Sequence, residues 1–261
     1  MSSNIVKDKA MLTTHRKQQI LSILKRNGQV IAKEVSHSMG VSEDTIRRDL
    51  REMAQEGLLQ RVHGGALPAS PAVADFAGRE LITTEGKLAI GRAAAQMIQA
   101  GQVVILDGGT TARQVARHIP QALKATVVTH SPTIALELVN HPDIEVILIG
   151  GRMFRHSVVA VGAAAIEAIA HIHADTYFMG VTGVHPKTGL TTGDFEEAAV
   201  KRALSKAAAD TIVLASSEKL NAASPYAVVS LNEISGIITE RAADAALTRP
   251  YEKLKIPVIR A

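Results

Sequence analysis

Apolar residues follow two different rhythms along this chain. In the first quarter they recur at helical spacing among basic residues. Ile20, Leu21, Ile23 and Leu24 do so within "THRKQQILSILKRNG", and Ile46, Leu50 and Met53 within "SEDTIRRDLREM". Spacings of i, i+4 and i+7 put one apolar stripe on a helix and turn the charged positions outward. Thr13 or Thr14 is expected to cap the first helix, and Asn27-Gly28 to stop it. Between the two helices, "QVI" (29–31) predicts a small strand and "AKEVSHSMG" a two-turn helix closed by Gly40. After them, "GLLQRVHGGAL" (57–67) predicts two short strands around the Gly64-Gly65 turn. Helix, strand, helix, turn, helix, hairpin is the order of a winged helix-turn-helix.

Further along, short continuous apolar runs alternate with helical patterns. Residues 102–107, 125–129, 144–150, 175–180, 210–215 and 235–240 predict buried strands; 86–99, 110–118, 132–139, 162–171 and 195–208 predict helices. Strands apolar on both faces, joined by helices, imply a mostly parallel α/β sheet whose ligands bind beyond the carboxyl ends of its strands. Between the two regions, "LPASPAVADFAGRE" (67–80) is rich in Ala, Pro and Ser and has no period. It is expected to be a linker, dividing the chain into 1–66, 67–80 and 81–261.

Charge sharpens this division. Residues 1–66 hold 11 Lys+Arg against 7 Asp+Glu, and the remainder holds 18 of each, so the whole net charge of +4 lies in the first quarter. A polyanionic partner for that quarter is indicated. Hydrophobic residues make up 46%, which argues against disorder, and the absence of Cys excludes disulfides and thiolate zinc sites. The first residues lack the apolar core of a signal peptide, and no apolar run is long enough to cross a bilayer, so a cytoplasmic protein without membrane contact is expected.

The helix opened by Ser42 has Glu43 and Asp44 in its first turn, where the dipole favours them, and Arg47, Arg48 and Arg51 facing outward. In isolation, a surface helix stitched by pairs such as Arg48–Glu52 explains this composition. Following a short helix and a turn, it takes the place of a recognition helix in double-stranded DNA. Thr45 and Arg48 share one face and are candidates for base contact, while Arg47 and Arg51, one turn apart, are candidates for phosphates. Arg61 and His63 in the wing and Lys33 on the preceding helix are further phosphate candidates, and Ser42 at the helix start completes the DNA-binding set.

The stretch "GVSEDTIRRDLREMAQEGLLQRVHGGA" (40–66) resembles the DNA-binding segment of DeoR-family bacterial transcriptional regulators. "LDGGTTA", "VTHSPTIA", "VILIGGRMF", "GVTGVHPKTGLTTGDFEEAAVKRA" and "ASSEKL" follow in the family's order and spacing. The resemblance implies a sensor domain similar to ribose-5-phosphate isomerase, a phosphorylated sugar as effector, and a homodimer or homotetramer acting on an operator.

Candidate effector residues sit where strands end. In "DGGTTA", Asp107, Gly108, Gly109, Thr110 and Thr111 leave a strand and enter a helix. The glycines allow close backbone approach, and the helix start attracts anions. A capped strand–helix turn explains the same residues, and no P-loop Lys follows. Thr129, His130 and Ser131 end the next strand, and His130 stands where the family usually has Asn. Gly151 and Arg152 pair a glycine with a fork suited to phosphate or to a surface ion pair. Glu197 and Lys201, at i and i+4, fit a helix salt bridge, and the resemblance places them near the effector. "ASSEKL" departs from the family's Asp-Ser-Ser-Lys: Ala215 replaces the acid, and Lys219 comes one residue late.

Residues 175–184 lack the paired acids of ribose-phosphate isomerases, no Gly-x-Ser-x-Gly is present, and His171 and His173 do not share a helix face. A regulator without cofactor or metal, not an enzyme, is therefore expected. The rivals are a sugar-phosphate isomerase or deaminase with a basic appendage, and a sugar-responsive activator.

Overall fold

The computed structural model describes residues 2–70, 74–82 and 84–261, with side chains from residue 13 onward. The chain forms two compact units, one ending at Ser70 and also taking in Asn221–Ala223, the other comprising the rest.

In the first unit, α1 (Ser2–Asn27), β1 (Val30–Ile31), α2 (Ala32–Met39), α3 (Glu43–Gln55), β2 (Leu59–Val62) and β3 (Gly65–Pro68) follow the expected order. Helix α1 passes through Thr13 and Thr14, so neither caps it. No Gly or Pro interrupts Ser2–Asn27, and two threonines alone do not break a helix. It ends as expected, with the Gly28 amide donating back to the Leu24 carbonyl at 2.9 Å. Ile20, Leu24, Val35, Ile46, Leu50, Met53 and Leu59 form one buried cluster, which makes the predicted stripes the core.

The sheet order is β1-β3-β2, all antiparallel, with Val30 opposite Ala66 and Val62 opposite Gly65. At Gly65 a Cβ would lie 1.8 Å from the Val30 carbonyl oxygen, so backbone occupies the space of any side chain. Gly65→Ala is expected to cost the unit at least about 2 kcal/mol by overpacking. A lowered melting transition of the unit, with weakened operator binding, checks it.

The span 67–80 is not free chain throughout. Leu67 is buried in β3, Phe76–Glu80 forms a short helix (α4) with Asp75 as its cap, and only 71–73 lie outside the described residues. Lack of period hid both pieces, because each is too short to show one.

The second unit continues with α5 (Thr84–Met97), β4 (Val103–Leu106), α6 (Thr110–His118), β5 (Ala125–Thr129), α7 (Pro132–Leu138) and β6 (Ile144–Leu148). A small hairpin, β7 (Arg152–Phe154) and β8 (Val159–Val161), leads into α8 (Ala163–Ile169) and β9 (Ala174–Gly180). Then come β10 (Gly183–His185), β11 (Gly189–Thr192), α9 (Phe195–Lys206), β12 (Ala208–Leu214), β13 (Tyr226–Ala227), β14 (Gly236–Thr239), α10 (Ala245–Lys253) and β15 (Val258–Arg260). All six predicted strands enter one sheet of order β15-β14-β12-β9-β4-β5-β6, parallel throughout. The seventh, β15, has only three residues and no readable pattern.

Successive strand residues enter different cores. Val104, Leu106, Val127, Phe178 and Ile212 pack with residues of α5, α6 and α7, whereas Ile105, Val128, Tyr177 and Val213 pack with residues of α8, α9 and α10. That alternation is the period-two strand geometry with helices on both faces. From β4 the chain proceeds through β5 and β6 in one direction and through β9, β12, β14 and β15 in the other. The order reverses between β4 and β9, the place where open α/β sheets bind ligands.

Candidate functional site

In the first unit the basic helix is built from its cap. Ser42 Oγ accepts the Thr45 amide at 3.2 Å and lies 2.9 Å from Thr45 Oγ1, so the hydroxyls of Ser42 and Thr45 share the cap. Ile46, Leu50 and Met53 face the core, joined by a residue the pattern did not identify: Asp49, only 1% exposed. Its carboxylate takes a forked pair of bonds from Arg16 of α1, one of them 2.9 Å from Nη2 to Oδ1. Helix α3 is thereby fixed to α1 by a charge-assisted fork as well as by packing. Asp49 follows two arginines in sequence, which made it look like part of the exposed charged face; position i+3 from Ile46 was the signal that it turns inward.

The outward face differs from the expected stitching. Arg47, not Arg48, makes the intrahelical pairs, at 2.7 Å to Glu43 and 3.7 Å to Asp44, while Glu52 bonds Lys17 at 3.0 Å. Among the described residues, no ion pair holds Lys33, Arg48, Arg51 or Arg61, and all four are exposed, as is His63. Four exposed cations without anionic partners, distributed over α2, α3 and the wing, make a surface suited to phosphates.

In the second unit, Asp107 leaves the carboxyl end of β4, fully buried. Its Oδ1 accepts the Gly108 amide at 2.8 Å and faces His130 Nε2 at 2.8 Å. Its Oδ2 accepts the Gly180 amide at 2.7 Å and the Lys201 ammonium. Burial alone would raise this carboxyl; Lys201 and the His130 ring override it and hold it well below the usual carboxylate range. Asp107 thus ties the ends of β4, β5 and β9 to α9.

Above it opens a cavity lined by Gly108, Gly109, Thr110, Thr111, Glu197, Lys201 and Lys219 among the predicted residues. Gly109 is the residue before α6, with φ of 100°, a conformation L side chains rarely adopt, and no side chain caps the helix. A helix start without a side-chain cap is one that suits an anion. Thr111 is 2% exposed, and its Oγ1 has no hydrogen-bond partner. Glu197 accepts a 2.6 Å bond from Thr192 Oγ1, and Lys201 Nζ also donates to the Gly180 carbonyl at 2.9 Å. Burial pushes the Lys219 ammonium down to about 8; Glu218 opposes this, and Lys87, Arg79 and Lys201 add to it.

Several predicted effector residues lie elsewhere. His130 is fully buried and does not line the cavity; its Nδ1 is 2.9 Å from the Ala160 carbonyl, and its Nε2 props Asp107. Thr129 and Ser131 are equally buried: Thr129 Oγ1 accepts the Ser131 amide, and Ser131 Oγ donates to the Val158 carbonyl. Gly108 lines the cavity, but the space of its missing Cβ is filled by Val159 Cγ1 at 2.1 Å, so the close approach it permits is to β8. Gly151 and Arg152 are not cavity residues; Arg152 is exposed and paired with Glu196, the plain surface reading of that arginine.

Two lining cations escaped the sequence. Lys87 of α5 is 3% exposed and donates to the Arg79 carbonyl; burial pushes its pKa down. It stands three residues before Ile90, on the helix's apolar stripe, which was a readable signal. Arg79 of α4 lies in the span taken for linker, where nothing pointed to it.

A winged helix-turn-helix unit carrying unpaired arginines, followed by a parallel α/β unit with a crevice at its switch point, defines the class of two-domain DNA-binding regulators. The model of the DeoR-like helix-turn-helix domain matches residues 16–71, and that of the DeoR C terminal sensor domain matches 82–241. This chain belongs to the DeoR family and is a DNA-binding transcriptional regulator. It is 35% identical over 251 residues to the HTH-type transcriptional regulator GlpR of Haloferax volcanii, covering 95% of this chain and 98% of that one. It is 34% identical over 233 residues to the HTH-type transcriptional repressor GlcR of Bacillus subtilis, covering 88% and 90%. The glycerol-3-phosphate regulon repressor of Escherichia coli is 29% identical over 231 residues, covering 88% and 92%. Among solved structures, ribose 5-phosphate isomerase A of Methanocaldococcus jannaschii aligns at a TM-score of 0.38 and 17% identity over 51% of this chain and 52% of that one, a distant likeness. Among the described residues, no helix is long and apolar enough to cross a membrane.

Proposed function

We propose that this protein is a repressor of a carbohydrate-metabolism operon. As a dimer or tetramer it binds operator repeats through α3 and the wing, and a phosphorylated sugar in the cavity of the second unit releases it. The observation that carries this reading is the open N-terminus of α6 beside the unpartnered Thr111 hydroxyl, with Lys219 and Lys87 buried in the same cavity. Helix-start amides, a spare hydroxyl and desolvated ammonium groups suit a phosphate, and Glu197 suits a sugar hydroxyl. Relatives named repressors of glycerol-3-phosphate and aga regulons support the same class of effector.

Binding is favoured over catalysis because the buried carboxylate beneath the cavity is already engaged. Asp107 accepts four bonds from Gly108, His130, Gly180 and Lys201, which leaves it no lone pair to take a substrate proton.

A phosphorylated sugar at about 100 times its Kd is expected to add roughly 2.7 kcal/mol to the second unit. For a unit of this size that is a rise of about 5–10 °C in its melting temperature. The same compound should dissociate operator DNA in a gel shift, and its affinity should fall as pH rises through about 8, where Lys219 loses its proton. Equal stabilisation by the unphosphorylated sugar would sink the proposal. Turnover of the phosphorylated sugar would instead establish the enzyme, and lowered transcription on gene deletion the activator.

A further inference from the structure

Arg79 presents a guanidinium with which no carboxylate among the described residues forms an ion pair. Its Nη2 donates to the His156 carbonyl at 3.1 Å and to Ser157 Oγ at 3.4 Å, both neutral acceptors on the β7–β8 loop. Its Nε is buried and has no hydrogen-bond partner. Glu197, Asp75 and Asp107 act on it only through space, and no carboxylate forms an ion pair with it among the described residues. Burial accordingly pushes its pKa down. A desolvated cation held in place without an anion is costly, and the usual resolution is a partner that arrives from outside. The residue is not loose: Lys87 bonds its carbonyl, and the next residue, Glu80, pairs with Arg113 of α6, the helix whose open start lines the same cavity.

Arg79, Lys87, Lys201 and Lys219 line the cavity with Glu197 and Glu218, and with Asp107 paired to Lys201 an excess of one positive charge remains for an anion to balance.

We propose that Arg79 is an effector-binding residue whose guanidinium pairs with the phosphate of a phosphate monoester in the cavity that the α6 start also lines. This rests on the reading of the cavity as the effector site. It adds to that site a residue from α4, the element that follows the DNA-binding unit in the chain.

The test is a thermal titration of the full chain with inorganic phosphate as probe, at constant ionic strength, for the parent protein and for Arg79→Gln. Gln removes the charge and is too short to keep the bonds that Nη2 makes to the His156 carbonyl and Ser157 Oγ. Without phosphate, Arg79→Gln is expected to melt within about 3 °C of the parent, because losing those bonds is offset by removing a partly buried charge that has no ion-pair partner among the described residues. It should require at least about tenfold more phosphate for half-maximal stabilisation. If the parent is stabilised by phosphate and Arg79→Gln responds at the same concentration, the arginine is a structural prop and the proposal falls while the effector cavity stands. If the parent itself shows no phosphate-specific stabilisation, both readings fall. Should Arg79→Gln not fold, Arg79→Lys, which keeps the charge and loses the planar guanidinium fork, makes the same comparison, with a several-fold weakening expected.

Discussion

Asp107→Ala is expected to lower the melting temperature of the second unit by about 10 °C or more. Removing one partner of a buried charge pair costs roughly 3–5 kcal/mol, because the charge left behind is neither solvated nor paired. A unit of this size loses about 2–4 °C per kcal/mol. Here the His130 ring and the Gly108 and Gly180 amides lose their acceptor, and the Lys201 ammonium keeps only Glu197 at 3.8 Å and the Gly180 carbonyl at 2.9 Å. The strand ends that shape the cavity lose their common anchor, so phosphate-dependent stabilisation should disappear as the melting temperature falls. A transition within about 3 °C of the parent, roughly 1 kcal/mol, would mean that these groups find other partners and that Asp107 is not the keystone.

The same carboxylate predicts an acid limb. Its folded-state pKa lies below the ordinary 3.8, so its contribution is complete above the unfolded value and is lost as pH falls toward the folded one. Asp107→Asn should therefore flatten the loss of stability below about pH 4. An acid limb unchanged in the variant would assign that titration to other carboxylates.

For DNA binding, the combined change Arg48→Ala and Arg51→Ala is expected to weaken operator affinity at least about a hundredfold in a gel-shift titration. A bidentate bond to guanine is worth about 1–3 kcal/mol, and removing one phosphate-neutralising cation reduces the salt slope by about 0.9. Arg47→Ala should cost less, because Arg47 is engaged with Glu43 and Asp44 and must leave them to reach DNA. An exposed pair of that kind is worth little, so the difference between the arginines is one of degree. If Arg48→Ala relaxes discrimination among operator variants while Arg51→Ala weakens all of them alike, Arg48 reads bases and Arg51 phosphates. Unchanged operator affinity in the double variant would remove α3 from the DNA interface.

What could be read in advance follows from the range of the interaction concerned. Helix α3 was legible down to its cap because Ser42, the acidic first turn and the Ile46, Leu50 and Met53 stripe are local features. The long strands were legible because burial on both faces demands continuous apolar runs. Asp107, Gly109, Thr111 and Lys201 were legible as cavity or anchor residues through the strand-end rule and the family motifs. His130 and Arg152, picked by the same rule, do not line the cavity, because a strand end specifies the neighbourhood of a side chain and not the direction in which it points.

By itself, then, the sequence determined the two units, the basic recognition helix, the parallel sheet and the strand ends around which the cavity forms. All of these depend on residues a few positions apart and on the periods of helix and strand. Only the tertiary structure decided that Asp49 turns inward to Arg16, that Asp107 is a buried keystone, and that Arg79 from a supposed linker lines the cavity. Those facts pair groups tens of residues apart, and the direction of each was set by whichever charge or carbonyl the folded chain brought within hydrogen-bond reach. No period in the sequence encodes such a meeting, because the cost of an unpaired buried charge exists only once the surrounding core has closed.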